Sequence, residues 1–280
     1  MTLAILDEHR QLAEVVREAL TRADARSVAR AVFDGAGAGG TGGHAAALWR
    51  TIVAERWHLL DLAEEHGGEG FGLPEAAMVA EELGRTLATG AFTSTVVAAR
   101  VVSASGTAEQ RERLLPSIVA GHPVAVALDS ALETSGGRMS GESSPALGGQ
   151  FAGRSLVLHG DDAWLVPHDL AGVEVQPVEA ALDPGLGLVR LRLHDVPVDA
   201  VDALPGTAAA VRRLVGTLGA AEAAGAAQAV VDDAVAYAKT REQFGRPIGS
   251  FQAVKHHLAN MLVQAELAVA AVWDTARGAP

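Results

Sequence analysis

Cysteine is absent from the 280 residues, which removes disulfides, thiol catalysis and Cys-ligated zinc or iron–sulfur sites together. Positive charge is scarce: 22 Lys and Arg stand against 34 Asp and Glu, a formal net charge of −12, whereas a nucleic-acid binder carries a basic patch. Long apolar runs are missing as well. Asp7, Glu8 and Arg10 interrupt the N-terminal stretch, and no later one reaches the roughly 18 uninterrupted apolar residues of a membrane span. Neither a Walker lysine, nor HExxH, nor GxSxG occurs. The expectation is a soluble cytoplasmic protein with no nucleic-acid partner, no membrane span and no metal. With 49% hydrophobic and 20% charged residues, the chain is long enough for one large domain or two to three small ones with real cores.

Three segments differ in their hydrophobic period. Residues 1–121 have helical spacing, with Leu12, Val15, Val16 and Ala19 on one stripe and Glu14, Arg17 and Glu18 off it. Pro74 suits a helix start, and Thr107 to Gln110 has capping-box spacing. In residues 122–204 the period becomes two. Val189, Leu191 and Leu193 fall on one face of a strand and Arg190, Arg192 and His194 on the other. Shorter strands are expected over 123–128, 155–159, 163–166 and 172–175, giving a small, mainly antiparallel β domain. In residues 205–280 the helical period returns from about Thr207 to Lys239 and breaks at Phe244–Gly249. It resumes with Phe251, Val254, Leu258, Met261, Ala265, Ala268 and Val272 in a 3-4 stripe. The fold class expected is α+β, and the two long terminal helices have too little partner surface of their own unless they pair with another chain.

Several motifs have plain structural explanations. Gly35 to Gly40 matches GxGxxG but lacks the preceding strand and following helix of a dinucleotide fingerprint, so a glycine loop is expected. His256 and His257 are adjacent and point about 100° apart on a helix, which rules out chelation as a pair. His159–Asp162 reads as a hairpin turn, and Ser140, Ser143 and Ser144 as part of a Gly-rich loop.

One segment is more specific: Tyr237-Ala-Lys-Thr-Arg-Glu-Gln-Phe-Gly-Arg-Pro-Ile-Gly-Ser-Phe-Gln252, running on to Met261. It reads as a helix end, a sharp turn and a new helix. Arg241 and Gln252 lie near the turn, where a guanidinium fork and a carboxamide could hold a phosphate or simply cap the hairpin. This segment resembles the signature of the acyl-CoA dehydrogenase family, R-x-x-F-G followed by a helix with F-Q. The resemblance implies that Arg241 and Gln252 bind the FAD of a neighbouring subunit and that Phe244 packs against it. Further ordered similarities lie at Asp7–Leu12, at Glu65–Pro74 with Glu81–Arg85, and at Gly106–Pro116. The fold implied is an N-terminal helical domain over 1–121, a small middle β domain over 122–204 and a long-helix C-terminal domain over 205–280, here shorter than the family's.

The departures from the family pattern matter as much. Where the family has T-E-P-x-A-G-S-D touching flavin and thioester, this chain has Ala127–Ser135 without that motif. Its W-I-T-N flavin contact is replaced around Leu158–Ala163, with Trp164 too far along. The family's usual Glu base and its Q-x-x-G-G motif lie in a region this sequence does not include, and the base position used by some members falls on Val215. No catalytic residue is therefore assigned. Glu222, two turns later, is expected to be a helix-surface or partner-facing carboxylate. Arg212 and Arg213 are candidates for CoA phosphates or plain solvated residues.

The implied reaction is α,β-dehydrogenation of an acyl-CoA, a base taking the α-proton while flavin accepts the β-hydride. The resemblance implies a subunit working with a second acyl-CoA dehydrogenase-like chain in an α2β2 assembly, or else a homo-oligomer. It also implies electron-transfer flavoprotein as acceptor and a role in fatty-acid or steroid side-chain β-oxidation. The alternative is a non-catalytic acyl-CoA-binding or scaffold protein that has lost FAD.

Overall fold

The capping signals place the helices of the first segment. In a computed structural model describing residues 7–34, 41–88, 90–179 and 181–278, these are α1 (Asp7–Arg22), α2 (Ala25–Phe33), α3 (Thr41–Ala54), α4 (Leu73–Thr86), α5 (Phe92–Ser105) and α6 (Ala108–Val119). Gly35–Gly40, expected as a glycine loop, lies outside the described residues. Pro74 sits in the first turn of α4, where the Glu75 carboxylate accepts from Gly72 N at 2.9 Å. Thr107 and Gln110 form the expected reciprocal cap of α6, at 3.2 and 2.9 Å. The α1 stripe differs in one residue. Val16, Ala19 and Leu20 are buried, while Val15 is half exposed, because the inward face is centred one position further round the helix.

The middle segment forms β1 (Ala125–Ala127), β2 (Ser130–Ser135), β3 (Arg138–Ser143), β4 (Ala146–Leu147), β5 (Arg154–His159), β6 (Asp162–Pro167), β7 (Val173–Pro177), β8 (Val189–Pro197) and β9 (Asp202–Leu204). They make one sheet in the order β2-β3-β8-β4-β1-β5-β6-β9, with β7 also paired to β8. Every pairing is antiparallel except β1 with β5. β8 buries Val189, Leu191 and Leu193 and turns Arg192 and His194 outward, the alternation that a half-buried strand requires. Ser140 and Ser143 belong to β3 rather than to a glycine loop. Ser143 Oγ accepts from Leu191 N at 3.0 Å and Ser140 Oγ from Asp195 N at 2.9 Å, so both hydroxyls tie β3 to β8.

The sheet has two apolar faces. Val126, Leu156, Leu158, Leu165 and Leu204 join the core of the helices, whereas Ala127, Val157, Val166, Leu191 and Leu193 make a second core of their own.

The chain then enters α7 (Ala208–Thr240), a short ribbon of β10 (Glu242–Gln243) and β11 (Arg246–Pro247), and α8 (Gln252–Gly278). The 33 residues of α7 span about 50 Å at about 1.5 Å per residue. Its start is pinned to the β5–β6 turn: Ala208 N donates to Asp161 O at 3.0 Å and Gly206 N to Asp162 Oδ1 at 2.8 Å. By length and composition α7 could cross a membrane, but half of its most apolar window is buried inside this fold.

α7 finds part of its partner surface within its own chain, on α4, while Val230 and Tyr237 of α7 and Leu262, Val263 and Leu267 of α8 stay exposed. Gly84 of α4 and Gly225 of α7 explain how closely the two approach. A Cβ added at Gly84 would overlap the Glu222 carbonyl oxygen, and one at Gly225 would overlap the Glu81 carbonyl oxygen. Arg85 braces the crossing through Gln228 Oε1 at 2.9 Å and Asp232 Oδ2 at 2.5 Å, while Arg17 of α1 grips the buried Glu82 bidentately at 2.5 and 3.0 Å. α8 lies along α7 by its 3-4 stripe, with Ala265 and Val272 buried and Leu258, Met261 and Ala268 partly so.

Candidate functional site

The hairpin between the two long helices is set by a two-residue loop, Phe244-Gly245. Both residues have positive φ, 54° and 76°, as a type I′ turn demands. Glycine takes that conformation freely. A bulky aromatic does so at a cost of order 1–3 kcal/mol, and here it turns the Phe244 ring outward, 92% exposed. The ring meets Phe251 edge-on, centroids 6.1 Å apart. Arg241 ends α7 with its backbone committed on both sides: its N donates to Tyr237 O at 2.8 Å and its O accepts from Ile248 N at 2.8 Å. The guanidinium is left exposed. Gln252 opens α8, also exposed, with Nε2 3.4 Å from His256 Nε2. The structure thus gathers Arg241, Phe244 and Gln252 on one tip, with donors and an aromatic face suited to a phosphate-bearing aromatic ligand.

Arg212 and Arg213 are exposed on the first turns of α7, about 40 Å from Arg241 along the helix, so they are no part of this tip. His256 and His257 are both exposed on α8.

The two middle-domain segments that depart from the family pattern lie side by side, because β1 and β5 pair with Ala127 opposite Val157. Several of their polar groups are committed within the chain. Ser130 Oγ donates to Leu158 O at 2.7 Å and sits 3.5 Å from His159 Nδ1, while the Asp162 carboxylate caps the approach to α7. Asp129, Asp161 and Asp162 give this end negative charge. His159–Asp162 closes the β5–β6 hairpin as expected. Trp164 points into the sheet's own core, with Nε1 buried and unpartnered among the described residues. The exposed donors at the tip fit a phosphate-bearing cofactor such as FAD.

Glu222 differs from the sequence expectation. It faces inward from α7 and Glu222 Oε1 accepts from Thr93 Oγ1 at 2.6 Å. Burial pushes its carboxyl up to about 7, the Thr93 hydrogen bond opposes this, and Asp183 adds to it. Burial likewise raises Glu81 to about 7, reinforced by Glu82 and opposed by Arg85 and Arg17. The signal that could have revealed both is their placement, each three residues before a glycine of the α4–α7 crossing.

Comparisons with known proteins identify the family. The model "Acyl-CoA dehydrogenase, N-terminal domain" matches residues 6–122, and "Acyl-CoA dehydrogenase, C-terminal domain" matches 215–280. Acyl-CoA dehydrogenase FadE34 of Mycobacterium tuberculosis is 35% identical over 287 residues, an alignment covering 100% of this chain and 38% of that protein. The chain thus spans well under half the length of this relative. Among solved structures, a variant of the Tcur3481-Tcur3483 steroid ACAD matches with a TM-score of 0.83 at 28% identity, over 96% of this chain and 77% of that one. The ChsE4-ChsE5 complex from Mycobacterium tuberculosis also matches at 0.83, with 26% identity over 99% of this chain and 80% of that one.

Proposed function

Because the chain belongs to the acyl-CoA dehydrogenase family, we propose that it is a subunit of an FAD-dependent acyl-CoA dehydrogenase and completes the flavin site of a neighbouring chain. One observation carries this reading: the cofactor-type residues are gathered on an exposed tip, about 50 Å of helix from the chain's own middle-domain hairpin. Arg241 holds phosphate, Phe244 covers an aromatic face and Gln252 donates from the start of α8. When bound, FAD supplies the two-electron acceptor for α,β-dehydrogenation of the acyl-CoA. At the other end of α7, Arg212 and Arg213 are placed for CoA phosphates.

A base is missing from the position some family members use, since Val215 is an aliphatic residue, almost fully buried. The partner supplies it. That partner is a second acyl-CoA dehydrogenase-like subunit in an α2β2 assembly or, failing that, another copy of this chain. Exposed apolar residues along the long helices, Val230, Tyr237, Leu262, Val263 and Leu267, give it surface to cover. The likeness to the ChsE4-ChsE5 complex and to a steroid ACAD supports a heteromer acting on a bulky thioester such as a steroid side chain. The acceptor of its electrons is an electron-transfer flavoprotein, and the compartment is the cytoplasm.

Co-purification with a partner, followed by mass and absorbance spectra, tests the reading. The chain alone is expected to hold no stoichiometric FAD, and the complex to be yellow. Arg241→Ala should weaken flavin retention by the complex roughly 10- to 150-fold, the worth of one charge-assisted phosphate contact, without moving the melting temperature. A colourless complex would favour the non-catalytic alternative, and a homomer with one FAD per chain would overturn dependence on a different partner.

A further inference from the structure

α8 is 27 residues long, yet only Ala265, Val269, Val272, Trp273 and Ala276 on it are buried. Two clefts of about 510 and 610 Å³ lie end to end between α7 and α8. The first is bounded by residues within 213–224 and 268–275, the second by residues within 226–231 and 257–265. Together they make one trough about 28 Å long at about 1.5 Å per residue. Its α7 side is small, with Gly216, Ala220, Ala223 and Ala227 all exposed. Among the described residues no carboxylate lines it, and Arg213 and His257 stand at its two ends. The carboxylates of α7 between those ends turn elsewhere, Glu222 to Thr93, Asp232 to Arg85 and Asp233 to Arg26. A ridge runs beside the trough. Val263 and Leu267, one turn apart on α8, are 54% and 59% exposed, and each precedes by one position a residue that lines the trough, Gln264 and Ala268.

We propose that this trough seats the Val263–Leu267 ridge of a second copy of this chain, the two copies being related by a two-fold axis at the middle of the trough. A ridge and a groove on one face are what an isologous contact requires, since each copy gives its ridge and takes its partner's. Small residues let the facing helices approach to about 8–10 Å. The lack of charge at mid-trough matters equally, because a two-fold axis brings every charge near it against its own copy. The trough is about 28 Å long and two helix widths, about 20 Å, across, an area of the order of the about 800 Å² that a stable dimer takes from each partner. The proposal deepens the reading above and rests on it only for the need of a second chain. An α2β2 assembly has a contact between like chains as well as between unlike ones, and this face makes the like one. The trough ends short of the tip at residues 241–252, which stays open for the flavin site.

Sedimentation equilibrium of the full-length chain over about 1–100 μM tests it, since a dimer must build up with concentration. The parent should be dimeric in the upper part of that range. Ala223→Arg puts an unpaired charge at mid-trough and Leu267→Glu puts one on the ridge. Each should weaken the dimer about 100-fold or more while far-UV circular dichroism stays unchanged. Mixed in equal amounts, the two variants should associate again. In the mixed pair the arginine meets the glutamate across the axis, and the other ridge and groove are unaltered. A parent that stays monomeric at every concentration overturns the proposal, and so does a dimer that both variants leave intact. A chain that is monomeric alone and associates only with a dissimilar subunit gives the trough to that subunit, which overturns the second copy and leaves the flavin reading standing. A dimer broken and restored as described, whose complexes with dissimilar subunits are all colourless, upholds the contact and removes the flavin reading.

Discussion

Replacing Gly225 with Ala should lower the melting temperature by up to about 8 °C, while Gly219→Ala on the same helix should raise it slightly. The two substitutions are chemically identical, and helix propensity favours alanine by about 1 kcal/mol in both. They differ in surroundings. A Cβ at Gly219 meets nothing within 4 Å, whereas one at Gly225 overlaps the Glu81 carbonyl of α4. The helices would have to separate, losing contact along their crossing and loosening the Arg85 bonds to Gln228 and Asp232. Overpacking of this kind costs about 1–3 kcal/mol or more, which outweighs the propensity gain and corresponds to about 2–4 °C per kcal/mol in a chain of this size. Parallel thermal melts decide it. Equal shifts of the same sign for both variants would show that the crossing is slack.

Glu222→Gln should stabilise the protein at pH 8 by about 3 kcal/mol and leave it nearly unchanged at pH 4.5. The carboxyl sits at about 7 in the fold against an ordinary value of 4.5. Between those values the folded state binds a proton that the unfolded state has released, so stability falls as pH rises through this window and levels off above it. Each unit of displacement is worth about 1.4 kcal/mol. Glutamine keeps the acceptor for Thr93 and cannot ionise, so its stability curve should lose this part of the slope and retain the part due to Glu81. Urea midpoints across pH 4.5–8.5 measure the difference, and parallel pH curves for parent and variant would refute the claim. Dehydrogenation by the assembled complex should stay within a few-fold of the parent, because Glu222 lies two turns, about 10 Å, beyond Val215. A loss of about 100-fold with flavin intact would instead identify it as the α-proton base.

What the sequence makes legible follows the range of the forces involved. The alternation in Val189–Leu193, the cap at Thr107 and Gln110 and the 3-4 stripe of α8 are local patterns, and each appears in the structure where the spacing puts it. β2 and β3 were not legible. Ser130–Ser135 is an edge strand, mostly exposed on both faces, and Arg138–Ser143 beside it buries only Met139 and Ser143, so neither carries a period of two in hydrophobicity. The inward turn of Glu222 depends on contacts more than a hundred residues away, with Thr93 and with the glycine crossing, which no local window contains. At the candidate site, Arg241, Phe244 and Gln252 stand out through their resemblance to the family signature, since the spacing alone fits a capped helix hairpin as well.

The length of α7 carries a consequence for how any cofactor could be retained. Its first turn is fastened to the β5–β6 hairpin and its last carries Arg241, so about 50 Å of rigid helix keeps those two places of one chain from closing on the same small molecule. A ligand held by both kinds of surface has to bridge two chains, and its affinity is then linked by mass action to their association. Dilution should release such a ligand and extra apoprotein should recover it, whereas a ligand enclosed within one chain would be indifferent to protein concentration.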